Sequence, residues 1–381
     1  MTHHLSNPIL PSKAQCYGCG ACAQSCSQGC ITMSADDEGF LYPQVDTTAC
    51  VECKKCERSC PSLSPYVERR PTKTFAAINN HEEVRLQSSS GGIFSLLAEQ
   101  TIRQGGYVFG ARFNDTWKVV HAKTNRIEDL CHLRGSKYVQ SQIGNSYAEA
   151  KKLLEDGFPV MFVGTPCQIA GLNHFLGKEH EHLLTVDFIC HGVPSPAVWA
   201  WYVEQQSRLI RCQNWKQRLR YWLRPDTPIR HIAFRNKDQG WKQYQTLLES
   251  KDDASYDVRQ FHYENPYMRA FLADLDLRPS CSQCKMKHGR SHSDITLGDF
   301  WNVHKVTEDF DDDKGTSLIL INSPKGDIVF SSLSCRSRCV DFDEAIQYNP
   351  AWMKAYPPHP RREKFFQQYK EHLAEFINES Q

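Results

Sequence analysis

The sequence predicts a mixed α+β or α/β chain made of a small cysteine-rich module, a larger α/β domain and a helical tail. Three observations predict it. Eight cysteines near the start fall into two copies of one spacing. Beyond residue 75, apolar strand candidates alternate with glycine-containing loops and helical patterns, as α/β domains require. After Pro357, Pro358 and Pro360, residues 361–379 carry an amphipathic helical pattern. At 381 residues the chain is too long for the cysteine module alone. We divide it into residues 1–62, a linker at 63–74, a domain over 75–355 and a terminal helix within 356–381.

Residues 1–15 read as a loose arm. Cys16, Cys19, Cys22 and Cys26 are then spaced C-x2-C-x2-C-x3-C, and Cys50, Cys53, Cys56 and Cys60 repeat that spacing. This is the ligand arithmetic of a two-cluster ferredoxin holding [4Fe–4S] cubanes. A tight turn lets three sulfurs converge on one cube, and the fourth cysteine, too far along to reach it, serves the other. The assignment is Cys16, Cys19, Cys22 and Cys60 to one cluster, and Cys50, Cys53, Cys56 and Cys26 to the second. A disulfide framework needs an oxidising compartment that nothing in the sequence indicates. Zinc sites do not need a third cysteine two residues beyond a C-x-x-C pair. Pro61 follows Cys60 as the pattern expects, while Ser27 follows Cys26. Cys30 is surplus and reads as a small buried apolar side chain.

Lysine and arginine total 45 against 44 acidic residues, so the net charge of +1 supports neither a nucleic-acid nor an anionic-membrane role. The first fifteen residues lack an apolar signal core, and no segment approaches the length of a membrane span. With 17 cysteines, the expected setting is a reducing, oxygen-poor cytoplasm.

In the α/β domain, Phe75–Ile78 reads as a strand, Gly92–Arg103 as a helix and Tyr107–Ala111 as a strand. A helix over 147–156 precedes the strand Pro159–Val163, which runs into Gly164-Thr165-Pro166-Cys167. The strand Leu183–Ile189 runs into Cys190-His191-Gly192. Residues 205–260 show no interpretable motif. Leu318–Asn322 and Ile328–Phe330, joined through Ser323-Pro324-Lys325-Gly326, read as a hairpin. Cys167, Cys190 and the C-x2-C pair Cys281 and Cys284 form a third group of sulfurs. Brought together, they could hold a third [4Fe–4S] cluster or a zinc ion; alternatively Cys167 is a nucleophile at a strand end. Cys131, Cys212, Cys335 and Cys339 read as structural.

Five ordered blocks carry a resemblance: Ser89-Ser90-Gly91-Gly92-Ile93-Phe94, Gly135-Ser136-Lys137-Tyr138-Val139-Gln140-Ser141, Gly164-Thr165-Pro166-Cys167-Gln168, Cys190-His191-Gly192-Val193-Pro194-Ser195, and Ser293 through Trp301. With the cysteine module they resemble the coenzyme F420 hydrogenase/dehydrogenase beta-subunit family, which includes the 7-hydroxymethyl chlorophyll a reductases. The stretch Tyr267–Cys284 looks most like bacterial members found among polysaccharide-assembly proteins. Asn302 stands where the family's GDFWG motif closes with glycine.

The resemblance implies bound FAD and strengthens the third-cluster reading. No G-x-G-x-x-G follows a strand, so the flavin domain is expected to be non-Rossmann. Ser89, Ser90, Gly91 and Gly92 could offer hydroxyls and N–H groups to a pyrophosphate at a helix start, or simply form a serine N-cap. Lys137 could neutralise phosphate and Tyr138 cover a ring; otherwise they are a surface cation and a core aromatic. Gly164, Thr165 and Pro166, with Gly192, would face the isoalloxazine. His191 and Asp299 are the candidates for handling protons there, or else orient their loops. The expected function is an FAD-dependent iron–sulfur oxidoreductase that passes electrons between a ferredoxin-like or other redox protein and a flavin acting on a small molecule or F420. Its rivals are an electron-transfer subunit without its own substrate and a zinc-bearing binding protein. A homo-oligomer is compatible with the sequence.

Overall fold

The structure, a computed structural model, describes residues 8–212, 227–251 and 254–378. Residues 1–7 of the expected arm, the side chain of Cys212, part of the motif-poor 205–260 region and the last residues of the tail lie outside the described residues.

Between the two cysteine runs, β1 (Ile31–Ala35) and β2 (Leu41–Val45) pair antiparallel. Their connection turns at Asp36, whose Oδ1 accepts the N–H groups of Glu38 and Phe40. Gly39 completes the turn at φ 83°, and a Cβ there would lie 2.5 Å from the Ala197 nitrogen. The module is thus seated against the helix Pro196–Cys212. Arg278, 1% exposed, fastens it from the other side. It donates to the Cys16 and Leu41 carbonyls and to Gln140 Oε1, and lies 4.3 Å from the Tyr42 ring. Glu38 accepts two N–H groups from Arg362 on the terminal helix Arg362–Asn378.

The following strands are β3 (Lys73–Asn79), β4 (Tyr107–Phe113), β5 (Val119–Thr124), β6 (Val160–Val163), β7 (Leu183–Phe188), β8 (Ile229–Asn236), β9 (Gln245–Ser250), β10 (Val258–Phe261), β11 (Ile295–Asp299), β12 (Ser317–Ile321) and β13 (Cys335–Cys339). Eight of them form one mixed sheet in the order β13-β3-β12-β11-β7-β6-β4-β5; β8, β9 and β10 form a separate antiparallel sheet. In the large sheet β4, β6, β7 and β11 run parallel. Their carboxyl ends therefore deliver the loops bearing Cys167 and Cys190, and the end of β11 at Asp299, to one edge, where open α/β sheets place chemistry.

The core explains the apolar runs. Every residue of β12 is buried, because both sheet faces are covered. Ile319 and Ile321 pack with Ile93 and Leu97 on one side, and Leu318 and Leu320 with Phe300, Phe310 and Ala345 on the other. An aromatic cluster including Trp199, Tyr202, Phe234, Tyr267 and Phe271 joins the small sheet to the helices Pro196–Cys212 and Pro266–Leu272.

One expected element is corrected. Ile328–Phe330 is not the second strand of a hairpin but part of the helix Pro324–Ser331. Ser323 caps it by accepting the Gly326 N–H at 3.0 Å, and Pro324 occupies its first turn. The nominal linker also ends earlier than expected, since Lys73 and Thr74 already belong to β3.

Asp276, fully buried, has no hydrogen-bond partner on either carboxylate oxygen among the described residues. Burial pushes its pKa up to about 8. An unfolded aspartate titrates near 3.9, so the folded state retains a proton that the unfolded state releases. This contribution is fully present below about pH 4 and is lost as pH rises toward about 8. Asp276→Asn is therefore expected to raise the apparent melting temperature over the natural protein increasingly between pH 5 and pH 8. Parallel anaerobic thermal scans at those pH values check the trend.

Candidate redox site

The first two sulfur sets follow from turn geometry. Gly18 and Gly20 adopt φ 65° and 74° between Cys16, Cys19 and Cys22. Thirty-four positions on, Glu52 and Lys54 take the same left-handed conformation at φ 53° and 57°. The second run thus keeps the turn that the first makes with glycine, at the cost L-residues carry there. Cys60 lies beside Cys16, Cys19 and Cys22, each close enough to another of the four to raise a thiol's pKa. Cys26 instead shares a recess with Cys50, Cys53 and Cys56. The crosswise grouping expected from the spacing is the grouping in space. Cys30 joins the second group: its Sγ is 3.3 Å from Cys26 Sγ, so it is not merely an apolar filler.

The third group also converges. Cys167 lies in the first turn of the helix Pro166–Leu176, after β6; Cys190 follows β7; Cys281 and Cys284 come from the short 3-10 turn Pro279–Gln283 and its cap. All four line one recess, with Tyr17, His191, Arg278 and Lys287. The Val193 N–H points at Cys281 Sγ at 3.4 Å, and Thr165 Oγ1 lies 3.1 Å from Cys167 Sγ. Burial and neighbouring sulfurs push the thiols of Cys22 and Cys167 up to about 12 and that of Cys281 to about 11. Thiolates at these positions need a compensating positive charge, of the kind a metal centre would supply. Among the described residues no three His, Cys, Asp or Glu side chains gather tightly enough to chelate a single ion.

Tyr17 links the first and third sets. It sits in the backbone between Cys16 and Cys19, while its ring packs on Met286 and Ala170 beside Cys167 and Cys284. Its hydroxyl accepts the Lys285 N–H. Cys19 in turn packs on Gly171, where a Cβ would lie 3.0 Å from its sulfur.

The residues expected around a flavin do not meet in one place. Ser89 and Lys137 line a separate open cleft of about 1650 Å³ with Arg112, Trp117, Phe234 and Arg235, whereas Pro166, His191 and Gly192 line the third sulfur recess. Several are already committed. Ser90 donates its hydroxyl to the Thr316 carbonyl, and Gly91 donates its N–H to Ser317 Oγ. A Cβ on Gly91 would lie 2.4 Å from the Ala77 carbonyl, so this glycine serves close packing on the sheet. Gly92 has φ 83° before the helix Ile93–Arg103. Lys137 gives its ammonium to the carbonyls of His132, Leu133, Arg134 and Gly135 rather than to a phosphate. Thr165 forms a capping box with Gln168, and Gly164 donates to the Val186 carbonyl. Gly192 lets the Cys190 loop approach the Cys281 turn, since a Cβ there would meet Leu277 at 2.7 Å.

His191 and Asp299 each have a partner that the motifs did not announce. His191 Nε2 is 2.5 Å from Asp274 Oδ1, with the ring against Tyr356 and Phe271. Asp299 accepts from Arg235 Nη1 at 2.9 Å, and the same nitrogen donates to the Tyr138 hydroxyl. Arg235 lies 4.1 Å from the Tyr244 ring and 5.3 Å from that of Trp301, and its buried Nε and Nη2 have no hydrogen-bond partner among the described residues. Arg235 is the main residue that sequence reasoning missed. Its only trace was a charge inside the alternating strand Ile229–Asn236. Asn302, where a glycine was expected, adopts φ 54°, the conformation glycine would supply.

Comparison with known proteins bears on these sulfurs. Residues 159–340 match the family described as the C terminus of the coenzyme F420 hydrogenase/dehydrogenase beta subunit, and residues 15–63 match a 4Fe-4S dicluster domain. The stretch 159–340 belongs to the coenzyme F420 hydrogenase/dehydrogenase beta-subunit family. The cysteine module is 33% identical over 54 residues to an uncharacterized ferredoxin of Methanocaldococcus jannaschii, covering 14% of this chain and 69% of that one. A chain from a structure of the F420-reducing [NiFe] hydrogenase complex of Methanosarcina barkeri aligns with 83% of this chain and 92% of its own, at 16% identity and a TM-score of 0.45.

The chain is thus an iron–sulfur electron-transfer protein of an oxidoreductase family, with a ferredoxin-like 4Fe-4S domain ahead of a mixed α/β domain. The dicluster match encloses the eight cysteines of the two runs together with Cys30, and the beta-subunit match encloses Cys167, Cys190, Cys281 and Cys284 with His191, Arg235 and Asp299. No described helix is long and apolar enough to cross a membrane.

Proposed function

We propose that the protein is an FAD-dependent iron–sulfur oxidoreductase with a third [4Fe–4S] cluster on Cys167, Cys190, Cys281 and Cys284. When bound, the clusters carry single electrons and the flavin exchanges two as a hydride equivalent with an organic substrate or a deazaflavin of the F420 type. The observation that carries this reading is the order of the sulfur sets. Exposed Cys53 places the second set at the surface for a redox protein partner, and Cys22 and Cys56 share one packed cluster of side chains. Tyr17 then spans from the first set to the third.

The flavin is assigned to the cleft beside Arg235 rather than to the Ser90–Gly91 turn, whose donors are spent. The cleft offers aromatic walls from Phe113, Trp117, Trp199 and Phe234. Arg235 supplies the two unpaired N–H groups that a ligand with adjacent acceptors would take up. One continuous wall joins this cleft to the third recess: Arg235 bonds Tyr138, Tyr138 stacks on Phe271 at 4.8 Å, and Phe271 meets the His191 ring at 5.7 Å. In this reading His191, oriented by Asp274, holds or releases a proton at Nδ1, and Asp299 positions Arg235. The protein would work in the cytoplasm.

Iron and flavin analysis of anaerobically purified protein tests the proposal. Three cubanes give about twelve irons per chain and the ferredoxin-like domain alone about eight; one FAD is expected beside twelve. A sample with eight irons and no yellow chromophore, active only as a relay to a second protein, would leave an electron carrier without its own substrate.

A further inference from the structure

Beside the second sulfur set stands a fifth sulfur that cubane ligation does not use. A [4Fe–4S] cube takes four protein thiolates, which Cys26, Cys50, Cys53 and Cys56 supply. Yet Cys30 lines the same recess, is 7% exposed, and holds its Sγ 3.3 Å from that of Cys26. Its place is fixed from both directions. The Asp46 N–H donates to its carbonyl at 2.8 Å, and its side chain packs with Cys22, Ile31 and Cys56.

The internal repeat makes the position informative. The two cysteine runs are offset by 34 residues, so the counterpart of Cys30 is Ser64. Ser64 is exposed, and its N–H donates to the Cys60 carbonyl; among the described residues its hydroxyl makes no bond to the Cys60 sulfur. The two cluster environments, otherwise built on one pattern, therefore differ by a thiol at this place.

We propose that Cys30 is a positioning residue that donates an S–H···S hydrogen bond to the iron-bound sulfur of Cys26 and so raises the reduction potential of the second cluster. Iron binding requires Cys26 as a thiolate, so the proton of the pair belongs to Cys30. Reduction adds negative charge to the cluster and its sulfurs. A donor aimed at one of them stabilises the reduced form more than the oxidised one, and burial strengthens the effect. The inference rests on the dicluster domain alone and is independent of the flavin and of the third sulfur group.

The test uses the full chain, purified without oxygen, as Cys30→Ala and Cys30→Ser variants. Iron content is measured beside an EPR-monitored redox titration and the Fe–S(Cys) stretching bands in resonance Raman spectra. The expected result for Cys30→Ala is unchanged iron, one midpoint potential shifted downward with the others unmoved, and a changed Fe–S(Cys) band. Cys30→Ser, which keeps a donor, should recover part of the shift. Unmoved potentials in Cys30→Ala would overturn the proposal, as would equal shifts in both variants, which would indicate packing. Loss of about four irons per chain would overturn it differently, by making Cys30 a ligand.

Discussion

Cys281→Ser is expected to lower the iron of anaerobically purified protein from about twelve to about eight atoms per chain. Serine is the informative replacement because it keeps the size of the turn. Cys281 sits in the 3-10 segment Pro279–Gln283 and accepts the Val193 N–H, a contact that an oxygen can also accept. A fall in iron would therefore report lost ligation rather than lost folding. Cys339→Ser is the control: that thiol is exposed at the end of β13 and lines neither the sulfur recesses nor the Arg235 cleft. Reduction of bound flavin by dithionite-reduced clusters should slow in Cys281→Ser and not in Cys339→Ser. Iron unchanged in both variants would remove the third cluster and leave the recess as a packed thiol site.

What could be read from the chain in advance depended on sequence distance. The paired cysteine runs are local, and the left-handed turns that aim their sulfurs recur at a fixed offset, so the crosswise grouping was legible. Cys167 and Cys190 were legible as strand-end loops, because short apolar runs into glycine-containing turns mark the carboxyl edge of a parallel sheet. Their meeting with Cys281 stood only as one of several readings until the resemblance favoured it, since it depends on how the 3-10 turn folds back over Gly192. The partners of the proton-handling candidates lie 83 residues from His191 and 64 from Asp299, and no local pattern announces such pairs. Lys137 misled for a related reason: a lysine beside glycine and serine suggests phosphate, yet its flexible stem curls onto four nearby carbonyls. The Ser323-Pro324 capping signal was present in the sequence, but the apolar run after it was given a strand period instead of a helical one.

Arg235→Met is expected to have the second large effect, in two separable parts. The first is stability. The guanidinium is 3% exposed and the Asp299 side chain 21%. Removing the cation leaves a mostly buried carboxylate without its partner, which costs about 3 kcal/mol. The double variant Arg235→Met with Asp299→Leu removes both charges and should recover most of that loss, a non-additivity that anaerobic urea titration measures directly. The second part is ligand binding. Two N–H groups of Arg235 are buried and unpaired in the free protein, each costing about 1–3 kcal/mol until a partner arrives. A flavin or other ligand with adjacent acceptors recovers this energy only if the fork is intact. Arg235→Lys keeps the charge beside Asp299 but offers no planar fork, so it should fold nearly as well as the natural protein while retaining much less FAD. Undiminished flavin in Arg235→Lys would move the cofactor away from this cleft, whatever the stability of Arg235→Met.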